Sequence, residues 1–241
     1  MQIHIYDSLG QIGVAAGLRV AAMVAEKPDC VLGLATGSTP LPLYNELVRL
    51  YNDGIVDFGR VRTFNLDEYA GIDISHEQSY HRFMADNLFS KININPANTR
   101  IPNPSPQDIA AECAEYDAAI ESAGGIDLQI LGIGGNGHIA FNEPGSVFPR
   151  STHLADLTED TIEANKRFFA SADDVPKKAL TMGIGSIMKA RSIIIIATGR
   201  SKAKAVKQMT SGDVTPLCPA SVLQFHPCVT VILDREAAEL L

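Results

Sequence analysis

Four short segments of this 241-residue chain carry residue types that could do chemistry. The richest is Gly132-Ile133-Gly134-Gly135-Asn136-Gly137-His138-Ile139-Ala140-Phe141-Asn142-Glu143-Pro144. His138 offers an imidazole that exchanges a proton near neutral pH, and Glu143 follows five residues later. The glycines allow backbone to approach a bound ligand. Gly132, Gly134 and Gly137 formally match a GxGxxG dinucleotide fingerprint, which requires a helix directly afterwards. Pro144, Gly145 and Pro149 interrupt the chain instead, so a nicotinamide role is rejected.

The second segment, Phe64-Asn65-Leu66-Asp67-Glu68-Tyr69, places two carboxylates side by side at the end of an apolar run. Neighbouring negative charge and partial burial raise a carboxyl pKa toward the range of a working base. An isolated acidic pair is more often a solvated turn, so this motif is weak alone. The third is Thr36-Gly37-Ser38-Thr39-Pro40, entered from the apolar run Cys30–Ala35. Pro40 suits the first position of a following helix, whose free N–H groups, with the hydroxyls, can cradle a phosphate. No GxxxxGK[ST] is present, so a nucleoside triphosphate is not implied. In the fourth, Thr198-Gly199-Arg200-Ser201-Lys202, a cation stands at a helix start, where the dipole favours anions; a bound anion would remove the conflict. Arg167, within Ala164–Phe169, is a further candidate cation.

Positioning these segments requires strands that end at them. Apolar runs at Ile3–Tyr6, Cys30–Ala35, Val61–Phe64, Leu128–Ile133, Ser192–Thr198 and Val229–Leu233 alternate with helical patterns over Ile12–Ala25, Leu43–Tyr51, Gln78–Phe89 and Gln107–Ser122. Near-continuous apolar strands alternating with helices predict an α/β fold: a mostly parallel central sheet covered by helices on both faces. Ligands then bind outside the carboxyl ends of the strands, where all four segments fall. No repeat or linker divides the chain, so residues 1–241 are expected to form a single domain.

The net charge of −8 argues against a nucleic-acid surface and leaves an anionic small substrate open. The longest purely aliphatic run, Ile193–Ala197, has five residues, and the N-terminus lacks a secretory pattern; a cytoplasmic chain outside the membrane is expected. Cys218, His226 and Cys228 form a loose cluster that could suggest zinc, but read better as half-buried residues before the final strand.

Together the segments LATGSTP, FNLDEY, GIGGNGHIAFNEP, NKRFF and TGRSKA resemble the glucosamine-6-phosphate deaminases, also called isomerases, in order and spacing over nearly the whole chain. The resemblance implies a Rossmann-like domain that holds no nucleotide, metal or organic cofactor. It implies conversion of D-glucosamine 6-phosphate and water to D-fructose 6-phosphate and ammonia. Asp67 is then the base at C2, His138 the ring-opening residue supported by Glu143 and Asn136, and Thr36, Gly37, Ser38, Arg167 and Lys202 the phosphate site. Glu68 and Tyr80 fall in active-site neighbourhoods without an assigned step. Longer members carry Asp where this chain has Asn136, and an amide orients the imidazole without stabilising its cation as strongly.

A 6-phosphogluconolactonase, which shares the fold, is the nearest enzymatic rival, but would not need the FNLDEY carboxylate as a carbon base. A sugar-phosphate sensor is the rival of another class; it predicts an attached helix-turn-helix, and the chain opens directly on a strand without a basic segment. Long deaminases resembling this chain form hexamers activated by N-acetylglucosamine 6-phosphate, held by basic residues after the NEP segment and by a C-terminal extension. Here that stretch reads Arg150-Ser151-Thr152-His153-Leu154-Ala155-Asp156, and the chain stops at Leu241, soon after its last strand. Hyperbolic kinetics without activation by the acetylated sugar are therefore expected, from a monomer, with a small homo-oligomer as the alternative.

Overall fold

Consecutive strand residues point to opposite faces, so a strand buried at every position must be covered on both. That is the state of β2 (Val31–Leu34) and β6 (Leu128–Leu131), the two central strands. The computed structural model describes residues 1–169, 171 and 174–241, the side chain of Arg167 excepted. Around these two strands lie β1 (Gln2–Tyr6), β3 (Arg62–Asn65), β5 (Thr99–Arg100), β9 (Ser192–Ala197) and β10 (Val229–Asp234). β4 (Asp67–Tyr69) belongs to a second sheet. The order β1-β10-β9-β6-β2-β3-β5 is parallel throughout, as the apolar runs predict.

Helices α1 (Leu9–Glu26), α2 (Leu41–Asn52), α3 (Tyr80–Asn87), α4 (Ile109–Ser122), α5 (Glu159–Asn165), α6 (Ile184–Met188) and α7 (Ala203–Ser211) connect the strands. Side-chain caps at Ser8, Ser79, Asp108 and Thr158 meet otherwise orphaned N–H groups and set where four of them start. Pro40 sits at the cap position of α2 rather than inside it, and Pro42 occupies the first turn. By length and composition α1 is apolar enough to cross a bilayer. Here its Ile12, Ala16, Val20 and Val24 are buried in the main core with Leu43 and Leu47 of α2.

Beneath the sheet, buried Asp127 gathers the starts of three strands. It accepts from Val31 N at 2.8 Å and from Lys27 Nζ at 2.9 Å and Arg191 at 2.8 Å. Burial alone would push its carboxyl up, but these donors hold it below the usual range.

The second sheet, order β4-β8-β7, is antiparallel and was not legible as a separate layer. β7 spans His153–Asp156 and β8 Lys178–Thr181. Leu66 is the hinge between the layers: its N–H donates to Leu34 O at 3.0 Å in the main sheet, and its carbonyl accepts from Met182 N at 2.7 Å. The FNLDEY segment therefore leaves one sheet at Asn65 and joins the other at Asp67.

Candidate active site

In the order of the main sheet, β3 and β5 lie to one side of β2, while β6, β9 and β10 lie to the other. The reversal leaves a crevice at the carboxyl ends of β2 and β6, where open parallel sheets bind ligands. A cleft of about 580 Å³ opens there, within the range of small-molecule sites.

Its walls come from all four sequence segments. Thr36, Gly37, Ser38 and Thr39 leave β2, Asp67 begins β4, Gly132–Asn136 and His138 follow β6, and Ser201 and Lys202 follow β9. Gly37 has φ of +88°, which suits glycine at the turn that curls this loop around the cleft. The Lys202 turn is fixed from below, because Asp234 accepts from Gly199 N at 2.8 Å. Of the predicted site residues, Glu143 stands behind the wall rather than in it, joined to the cleft residues by side-chain contacts. Arg167 lies in the turn Lys166–Phe168, and its side chain falls outside the described residues. Phe168 of that turn lines the cleft.

Asp67 is only 6 % exposed. Burial, and then the charge of adjacent Glu68, push its carboxyl well above the usual range. A carboxylate so placed is a stronger base than one in water and faces the cavity directly.

Glu143 is tuned the other way. Burial would raise it, but His138, Thr161 and Asn136 together bring it down to about 2. Thr161 donates to Oε1, Asn136 Nδ2 donates to Oε2 at 2.9 Å, and His138 Nδ1 lies 3.3 Å from Oε2. The last is a close polar contact without the alignment of a hydrogen bond. Asn136 Oδ1 also accepts from His138 N at 3.1 Å. The backbone N–H can meet only an oxygen, which leaves the amide NH₂ to face Glu143. An ionised Asp at position 136 would set a second negative charge against Glu143; the amide links Glu143 to the His138 backbone instead.

Gly134 makes room for the imidazole: a Cβ there would lie 2.4 Å from His138 Nδ1. Ala140, lining the same cleft, adopts φ of +51°, a left-handed conformation uncommon outside glycine and its polar substitutes.

Sequence reasoning missed Thr161 of α5, which no motif marks, and left Tyr80 without a place. Tyr80 forms a cleft wall, its ring parallel to Phe141 at 8° and 6.2 Å and tilted against Tyr69 at 4.9 Å. The zinc alternative meets a different geometry: His226 Nε2 sits 2.8 Å from Ala190 O and its Nδ1 accepts from Cys228 N at 3.1 Å.

The description of the glucosamine-6-phosphate isomerases/6-phosphogluconolactonases matches residues 12–231. The chain belongs to this family. Among its members, a glucosamine-6-phosphate deaminase of Halothermothrix orenii is 53% identical over 241 residues, covering 100% of both chains. One from Clostridioides difficile is 52% identical over 236 residues, covering 98% of this chain and 94% of its own. A solved monomeric glucosamine-6-phosphate deaminase superposes with a TM-score of 0.98 at 44% identity, with 100% of each chain covered. The 6-phosphogluconolactonase of Leishmania guyanensis shares the fold at a TM-score of 0.76 and 20% identity, covering 99% of this chain and 97% of its own. These deaminases share 44–53% of their residues with this chain, whereas the lactonase, at 20%, shares the fold.

Proposed function

We propose that this family member is a glucosamine-6-phosphate deaminase that converts D-glucosamine 6-phosphate and water to D-fructose 6-phosphate and ammonia. The observation that carries this reading is Asp67, a buried carboxylate of raised basicity opening onto the same cleft as the Thr36–Ser38 turn. Isomerisation needs a base at carbon; hydrolysis of a lactone does not.

The phosphate sits against the N–H groups and hydroxyls of Thr36, Gly37 and Ser38, with Lys202 and Arg167 as its cations. His138 opens the pyranose ring. Its Nδ1 is buried against Glu143, so contact with the sugar falls to Nε2. Nε2 takes the proton of the C1 hydroxyl and returns it to the ring oxygen as the bond between C1 and that oxygen breaks and the aldehyde forms; ionised Glu143 supports the transient imidazolium, and Asn136 holds the two in register. Asp67 then takes the C2 proton of the open aldehyde, giving an enolamine. Protonation at C1 yields an imine that water hydrolyses to the ketose and ammonia. The substrate's own carbonyl accepts the electrons, so these steps call for no metal or organic cofactor. Residues 1–241 act as one catalytic domain, as a monomer in the cytoplasm.

Incubation with glucosamine 6-phosphate should release ammonia and fructose 6-phosphate in equal amounts. Hydrolysis of 6-phosphogluconolactone without ammonia release from the amino sugar would overturn the reading.

A further inference from the structure

Glu68 is fully buried, yet it neither lines the cleft nor has a step in the proposed reaction. It follows Asp67 on β4, so its side chain leaves the opposite face of the strand. There it meets the start of α3. Oε1 accepts from Tyr69 N at 2.8 Å and from Tyr80 N at 3.0 Å. Oε2 accepts from His81 N at 3.0 Å and pairs with His81 Nδ1 at 2.9 Å. Three of these partners are backbone N–H groups that can only donate. A carboxylate, rather than its acid, is the form suited to accepting from four nitrogens.

This arrangement joins three things in one rigid unit: the strand that presents Asp67, the helix turn that presents Tyr80 to the cleft, and a negative charge one residue from the base. His81 carries the unit outward. Its side chain is 31% exposed and lines a second cavity of about 340 Å³ with Arg100, Glu112 and Tyr116.

We propose that the Glu68–His81 pair is a positioning element for proton transfer, holding Tyr80 and β4 about the substrate and setting the negative field in which Asp67 works. Glu68 raises the basicity of Asp67, and the N–H of His81, donated to Glu68, moderates that field. The charged and titratable groups around the pair are Asp67 and Tyr69 on the other face of β4, Tyr80 on α3, and, lining the second cavity with His81, Arg100 on β5 and Glu112 and Tyr116 on α4. The residues of β8 opposite β4 are Thr181, Leu180 and Ala179, none charged.

This inference rests on the deaminase reading for its kinetic consequence, and two measurements separate the two. The first is the pH dependence of kcat/KM for ammonia release. Glu68→Gln keeps the shape and removes the charge, so the acid limb, where Asp67 loses its proton, should move down by about one pH unit. kcat should fall with it, because a weaker base remains. His81→Ala should move the same limb up, since Glu68 then acts unmoderated. His81→Asn, which restores an N–H donor, should return the limb toward the wild type. A purely structural role would lower activity in every variant without these opposed displacements.

The second measurement is the carboxyl ¹³C NMR titration of Asp67 in the free protein, which needs no turnover and should show the same opposed shifts. Should Glu68→Gln fail to fold, His81→Ala and His81→Asn carry the test alone. An Asp67 titration unmoved in His81→Ala, or moved in the same direction by Glu68→Gln and His81→Ala, would overturn the proposal. Opposed shifts in a protein that releases no ammonia would overturn the deaminase reading and leave the coupling standing.

Discussion

At the scale of single residues, Asp67 shows a conflict between stability and function. Its folded pKa lies above the ordinary 3.8, so the folded state binds the proton more tightly than the unfolded state. Ionising Asp67 therefore costs stability. That cost is fully present above the folded pKa and disappears as pH falls toward 3.8. Asp67→Asn should abolish deamination, with a loss of at least about 10²–10⁴-fold, the usual contribution of a general base. The same variant should be more stable than the wild type at neutral pH and melt at a higher temperature. Thermal melts at neutral and acidic pH check this, and the gain should vanish in acid. Thr161 offers the complementary case. Its hydroxyl donates to Glu143, and hydrogen bonds to charged groups contribute about 1.5–3 kcal/mol. Thr161→Val should lower kcat/KM by about 10–100-fold at unchanged fold, while Thr161→Ser should retain near-normal turnover. Equal activity of the Val and wild-type proteins would show that Glu143 needs no such partner.

At the scale of elements, the phosphate site depends on turns rather than on helix interiors. Lys202 caps α7 after the turn Arg200–Lys202, and Asp234 at the end of β10 holds Gly199 in place. A cation at the start of a helix opposes the dipole; an anion bound beside it reverses the sign of the interaction. Lys202→Ala should weaken binding of the 6-phosphate by about 1.5–3 kcal/mol. The selectivity for glucosamine 6-phosphate over glucosamine, measured as a ratio of kcat/KM, should fall correspondingly. An unchanged ratio would place the phosphate elsewhere. The hinge at Leu66 matters at the same scale. By bonding to Leu34 on one side and Met182 on the other, it brings Asp67 out of the main sheet and over the mouth of the crevice.

At the scale of the whole molecule, the stretch after Pro144 bears on regulation. Asp156 closes β7 and pairs at 3.2 Å with Lys178, both side chains exposed. A carboxylate here would repel a second sugar phosphate. An effector without a differential site cannot shift a conformational equilibrium. Initial rates against glucosamine 6-phosphate should therefore be hyperbolic and indifferent to N-acetylglucosamine 6-phosphate, and the protein should sediment as a monomer. A sigmoidal curve made hyperbolic by the acetylated sugar would show this wrong.

The amino-acid sequence by itself determined six of the seven strands of the parallel sheet and the four segments at its carboxyl edge. Each of these depends on local pattern: apolar runs such as Ser192–Thr198, caps, and glycine-rich turns read within a few residues. Thr36, His138 and Lys202 were legible for that reason, since each follows a buried strand that places it; Asp67 was legible as a carboxylate after β3, but its place over the cleft is set by the turn at Leu66 into the second sheet. Tertiary structure decided what distance along the chain conceals. Thr161 reaches Glu143 across 18 positions, and Glu68 receives His81 across 13. The separate sheet of β4, β7 and β8 depends on pairing Asp67 with Thr181 and His153 with Thr181. No periodicity records such encounters, because hydrogen bonds between remote residues arise only when packing of the core brings their elements together. The opposed tuning of Asp67 and Glu143 belongs to the same class: a carboxyl group's basicity is set by burial and by the charges around it, and both exist only in the folded chain.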